Sequence, residues 1–104
     1  MSLNNLEELM VYQRARILSN EIWNLVYEWK DFFDKDTIGK QLVRAADSID
    51  ANIAEGYGRY DYKENKNFCY YSRGSLLETK GFVRKHKSRN LFSTEQREYF
   101  KGTR

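Results

Sequence analysis

Between residues 11 and 29, apolar side chains recur in steps of four and three: Val11, Ala15, Leu18, Ile22, Leu25 and Trp29. That spacing puts them on one face of an α-helix and gives a seam suited to packing in a bundle. The chain of 104 residues also contains no proline. No ring therefore removes a backbone donor or clashes with a preceding turn, so long helices with short connections are favoured. The size suits a single domain, residues 1–104, with one modest core.

The first helix is predicted over about residues 5–29, followed by a loop over 30–36 in which Asp34 or Asp36 caps the next helix. The second helix is predicted over about 37–55. Ile38, Leu42, Ala45, Ile49, Asn52 and Ile53 lie on its core face. Gly56 and Gly58 then stop it. A third helix is predicted from Asp61 to about Lys87, opened by an Asp61/Glu64 capping box. Phe68, Tyr71, Ser72, Ser75, Thr79, Phe82 and His86 share one of its faces. Small hydroxyl residues at the centre of that face favour close approach to a neighbour, and Gly74 is read as permitting another close contact. After a loop over 88–92, Ser93 and Gln96 form a capping box for a fourth helix of only about ten residues. The expected fold is all-α: an up-and-down four-helix bundle with three long helices and a short fourth.

The corner between the second and third helices carries Asn52, Glu55 and Arg59, with Ser75 and Glu78 within reach on the third helix. We read these five residues as a structural polar cluster. Glu55 and Glu78 could also stand as an acid–base or metal pair. Helical di-metal sites, however, use Glu-x-x-His motifs, and this chain has one histidine, His86. His86 has no second ligand at zinc spacing and reads as a hydrogen-bonded core histidine. Cys69, the single cysteine, has no histidine at motif distance and excludes an internal disulfide framework. Gly56-Tyr57-Gly58-Arg59 lacks the Lys-Ser/Thr of a phosphate loop and the strand that precedes one. We therefore expect no catalytic residues, no cofactor or metal, and no small-molecule substrate.

A second stripe on the first helix, Leu9, Tyr12, Arg16, Trp23 and Tyr27, lies nearly opposite the seam. Exposed rings of this size mark an interface, so we assign these residues, with Leu77, to contacts in a homo-oligomer. Charge is distributed unevenly. Residues 1–78 hold 10 basic and 13 acidic side chains, whereas residues 79–104 hold 8 basic and 2 acidic ones. A basic end on a near-neutral body suggests an anionic partner, with RNA or DNA the leading choice. Arg73, Lys80, Arg84 and Lys87 fall on one side of the third helix, and Lys85 and Arg89 extend the charge. No apolar run approaches the length of a membrane span, and no signal peptide is visible, so a cytoplasmic setting is expected.

The segments Gln41-Leu42-Val43-Arg44-Ala45-Ala46-Asp47-Ser48-Ile49 and Asn52-Ile53-Ala54-Glu55-Gly56-Tyr57-Gly58-Arg59 resemble the signature of a bacterial four-helix-bundle family. Its founding members are encoded in intervening sequences of 23S ribosomal RNA genes. Leu9-Met10-Val11-Tyr12-Gln13-Arg14-Ala15 resembles the family's opening motif, and Arg73-Gly74-Ser75-Leu76-Leu77-Glu78 its third-helix motif. Asp50 stands where the family often has proline, and the fourth helix is shorter than the family's. The resemblance implies a ring-like homopentamer and no enzyme activity. The accessory protein of diversity-generating retroelements is similar to this family, which implies a reverse transcriptase as a further partner in a retroelement setting. The leading functional expectation is a non-enzymatic oligomer that binds nucleic acid without strong sequence preference. The alternative is a structural oligomer or protein-partner adaptor with no nucleic-acid role.

Overall fold

In the computed structural model of the chain the described residues are 6, 9–58 and 62–100, the side chains of 62–64 excepted. Helix α1 spans Met10–Tyr27, α2 spans Lys40–Tyr57, α3 spans Tyr62–Ser88 and α4 spans Thr94–Tyr99. They form an up-and-down bundle of three longer helices and one short one, with no strand among the described residues.

The lead into α2 is longer than its sequence suggests. Asp31, not Asp34 or Asp36, accepts the capping bond, from the backbone N–H of Asp34 at 3.0 Å. A helical turn over Phe32–Asp34 then passes into a π turn over Lys35–Gly39 and on into α2. The π turn ends at Gly39, which is buried against the end of α1. A Cβ built there would lie 2.5 Å from Val26 Cγ1, so only glycine permits this approach.

The core gathers at the end of the bundle where α1 finishes and α2 begins. Ile22, Leu25, Val26 and Trp29 meet Leu42 and Ala46 of α2, Val83 of α3, and Phe92 from the loop before α4. Helix α2 is central: it packs along both α1 and α3, whereas α1 and α3 scarcely touch each other. The α1 seam therefore closes only in part. Ala15, Ile22, Leu25 and Trp29 are buried and Leu18 is half-buried, but Val11 is 58% exposed.

The close α2–α3 contact runs through small residues, as expected from the third-helix pattern. Ser48 Oγ and Ser75 Oγ are hydrogen-bonded at 2.6 Å, and Ser72 Oγ donates to the Ile49 carbonyl at 2.9 Å. Gly56 faces Phe68, whose Cβ would lie 2.8 Å from an added methyl. Gly74 differs from its sequence reading. It is exposed, with nothing within 4 Å of a Cβ built on it, so no close contact among the described residues explains it.

Helix α3 ends in a Schellman turn. Leu91 N–H donates to the His86 carbonyl at 3.1 Å and Asn90 N–H to the Lys87 carbonyl at 3.1 Å. Asn90 takes the left-handed conformation, φ 59°, that asparagine tolerates better than most residues. The predicted capping box of α4 forms: Gln96 N–H donates to Ser93 Oγ and Ser93 N–H to Gln96 Oε1. The Asp61/Glu64 box lies outside the described residues at Asp61.

Candidate functional site

Three surfaces and one buried group carry the residues singled out in the sequence. On α3, Arg73, Lys80, Arg84 and Lys85 are exposed, and Arg89 is exposed just beyond the helix. Their spacing follows from the helical repeat: Arg73, Lys80 and Arg84 each directly follow one of the buried residues Ser72, Thr79 and Val83, which puts them together on a flank about 100° round the helix. Lys87 departs from this set. It is half-buried, and its ammonium donates to the Phe100 carbonyl. Burial, with Arg97 nearby, holds its pKa below the usual lysine value. Arg97 is committed too. Its guanidinium donates to the Lys87 carbonyl at 2.6 Å and to Asn90 Oδ1 at 2.7 Å, tying α4 to the end of α3.

The aromatic stripe of α1 splits in two. Trp23 and Tyr27 are 56% and 71% exposed and sit beside the π turn, where the Lys35 ammonium lies 5.2 Å from the Tyr27 ring centre. With Lys40, Val43, Arg44 and Asp47 of α2 they border a cleft of about 480 Å³. Burial, and then repulsion from Asp50, raises the pKa of Asp47 at its edge. Tyr12 is half-buried, with the Arg16 guanidinium 5.8 Å from its ring centre. Leu9 precedes α1 in extended backbone and borders a different groove, between α1 and α3. Leu77, on α3, is 58% exposed.

Among the polar residues at the α2–α3 corner, Asn52 bonds within its helix and Ser75 bonds between the helices. Asn52 Nδ2 donates back to the Ser48 carbonyl of its own helix at 2.7 Å. Ser75 joins the interhelical seam by accepting from Ser48 while donating to the Tyr71 carbonyl at 3.1 Å. Glu55 and Glu78 are both exposed, and Arg59 lies outside the described residues. Bonds that cross between the helices include those from Ser48, Ser72 and Asn65, whose amide donates to the Gly56 carbonyl at 2.7 Å. Sequence reasoning passed over Ser48 and Asn65. Ser48 lies one turn before Asn52 on the same face, which was the available signal; nothing local marked Asn65.

His86 is buried on the core face of α3, as its position predicted, but it is not hydrogen-bonded through its ring to any described residue. Its ring stacks on Phe82 and meets Trp29 edge-on, with centroids 5.8 and 5.9 Å apart. Both its nitrogens and Trp29 Nε1 are buried with no hydrogen-bond partner among the described residues. Burial lowers its pKa to about 4, with Arg89 and then Lys85 adding repulsion. Among the described residues no three His, Cys, Asp or Glu side chains converge as a metal site would require, and no helix is long and apolar enough to cross a membrane.

These features define a small up-and-down helical bundle with a thin core at one end and exposed basic side chains along its longest helix. The chain belongs to the 23S rRNA-intervening sequence protein family, whose model it matches over residues 7–103. No curated protein matches it.

Proposed function

We propose that this chain is a non-enzymatic, homo-oligomeric bundle protein that binds RNA or DNA in the cytoplasm through the basic side of α3, with little sequence preference. The supporting observation is that Arg73, Lys80, Arg84, Lys85 and Arg89 are exposed in and beside a segment with a strong excess of basic residues. Each cation that reaches a phosphate releases condensed counterions, so affinity is electrostatic and falls steeply with salt. A helix face of lysine and arginine without base-reading geometry positions a strand but does not specify its sequence. One copy offers few contacts. A ring of five, as the family resemblance implies, would repeat the basic side and convert weak contacts into avidity.

Fluorescence anisotropy with labelled RNA and DNA at low and moderate salt tests the reading. Replacing Lys80, Arg84 and Arg89 together with glutamine should lower the slope of log K against log salt by about 2–3 for duplex DNA. The melting curve should stay unchanged, because all three are exposed. Lys87 is left in place because it holds Phe100. Absence of binding at low salt by the intact protein would overturn the reading and favour a structural or adaptor role.

A further inference from the structure

Along α3, Lys66, Tyr70, Arg73, Leu77, Lys80 and Arg84 recur in steps of four, three, four, three and four. Those steps keep the side chains on one strip of the helix, about 27 Å long. Every member is exposed, Tyr70 by 55% and Leu77 by 58%. Ser75, which bonds Ser48 of α2, falls on the opposite side of α3, so the strip faces away from the bundle. Its charged members, Lys66, Arg73, Lys80 and Arg84, are all positive. The acidic residue among the described side chains of α3 is Glu78, which directly follows Leu77 and so lies about 100° round the helix, on the flank that also carries Lys85. Between that flank and the strip stand Gly74 and Gly81, each with nothing within 4 Å of an added Cβ, so no side chain walls the strip off there.

We propose, resting on the nucleic-acid reading of this helix, that the strip holds single-stranded RNA or DNA, with a base stacked on Tyr70 and the phosphates on either side of it met by the cations. Cations alone would serve any polyanion. The strip, however, alternates them with an exposed phenol ring between Lys66 and Arg73 and a leucine between Arg73 and Lys80. A duplex stacks its bases on one another and offers only their edges, in the grooves, so a ring among the phosphate contacts gains nothing from it. An unpaired base offers its whole face, and stacking of this kind accepts every base, in keeping with weak sequence preference. The Lys66 ammonium lies 5.8 Å from the Tyr70 ring centre, so a base stacked on that ring has a cation beside it. Leu77 stands about 10 Å further along the axis and gives the next base or sugar an apolar surface to rest on.

Anisotropy at one low salt concentration compares labelled pyrimidine strands of about 12 nucleotides, DNA and RNA, with the same DNA strand paired to its complement. The single strands should bind several-fold more tightly than the duplex. Tyr70→Ala should weaken single-strand binding about tenfold, because one stacking contact is lost. It should leave duplex binding and the salt slope unchanged, because no charge is removed. Tyr70→Phe should bind single strands as the unaltered chain does, since the ring rather than its hydroxyl makes the contact. Both variants should melt as the unaltered chain does, because Tyr70 is exposed. A duplex bound as tightly as the single strands, or an unchanged single-strand affinity in Tyr70→Ala, would overturn the proposal and leave the broader nucleic-acid reading standing. No binding of either form by the unaltered chain would overturn both. Leu77→Gln checks the face separately. If light scattering found this variant smaller than the unaltered chain, with single-strand affinity unchanged, the strip would belong to a subunit contact and the proposal would fall.

Discussion

His86 is a neutral imidazole held between two aromatic rings, and its burial couples folding to pH. Its folded pKa of about 4 lies below the ordinary 6.5, so between these values the unfolded chain binds the proton more readily. The contribution is complete above pH 6.5 and is lost as pH falls from 6.5 towards 4, by roughly 3 kcal/mol in all. Thermal melts at pH 7 and pH 5 should therefore differ, and His86→Phe, which keeps the ring stack, should remove most of that difference. An equal pH dependence in the variant would show that other groups cause it. Gly74 offers the opposite case: an exposed helical glycine whose missing methyl would meet nothing. Gly74→Ala should stabilise the protein by about 0.5–1 kcal/mol, which raises the melting midpoint by several degrees. A lower midpoint would reveal a contact at Gly74 that the single chain does not contain.

At the scale of elements, the π turn over Lys35–Gly39 shapes the entry to α2. The extra residue in the turn brings Gly39 against Val26, with Trp29 also close by, where a side chain does not fit. Gly39→Ala should force Val26 aside and cost about 1–3 kcal/mol, measurable by urea denaturation. A neutral result would mean that the turn relaxes to ordinary α-helix. Between α2 and α3, Ser48, Ser72 and Asn65 each make an interhelical hydrogen bond, and Glu55 and Glu78 are exposed. Helix α4 is fixed mainly through side chains: Gln96 on the end of α1, and Arg97 and Lys87 across the Schellman turn.

For the whole molecule, the distribution of exposed apolar groups determines how it meets other molecules. Trp23 and Tyr27 leave much of their rings in water on the α1–α2 side, while the α1–α3 groove opens elsewhere. If the chain assembles through the aromatic pair, burying the Trp23 ring contributes on the order of 1.5–3 kcal/mol per contact. Light scattering should then find an oligomer for the unaltered chain and a smaller species for Trp23→Glu, with helical content retained because Trp23 is exposed. A monomeric unaltered chain would rule out that use of the stripe.

The bundle itself was legible in the sequence because local information suffices for it. The 4-3 spacing from Ala15 to Trp29, the Gly56 and Gly58 stop, the Ser93/Gln96 cap and the absence of proline each act within a few residues of themselves. The small hydroxyl stripe of α3 was legible for the same reason, since side-chain size fixes how close a neighbouring helix comes. Residues whose roles depend on distant partners were not legible. Lys87 and Arg97 look like free cations along the chain, yet the return of α4 commits them to carbonyls. Glu55 neighbours an apolar face by period, yet it is exposed, and Ser48, also on α2, bonds across to α3. Val11 belongs to the seam by period but is exposed where α1 borders the groove beside α3. Periodicity assigns a residue to a face of its helix; only the tertiary structure decides whether another element arrives to cover that face.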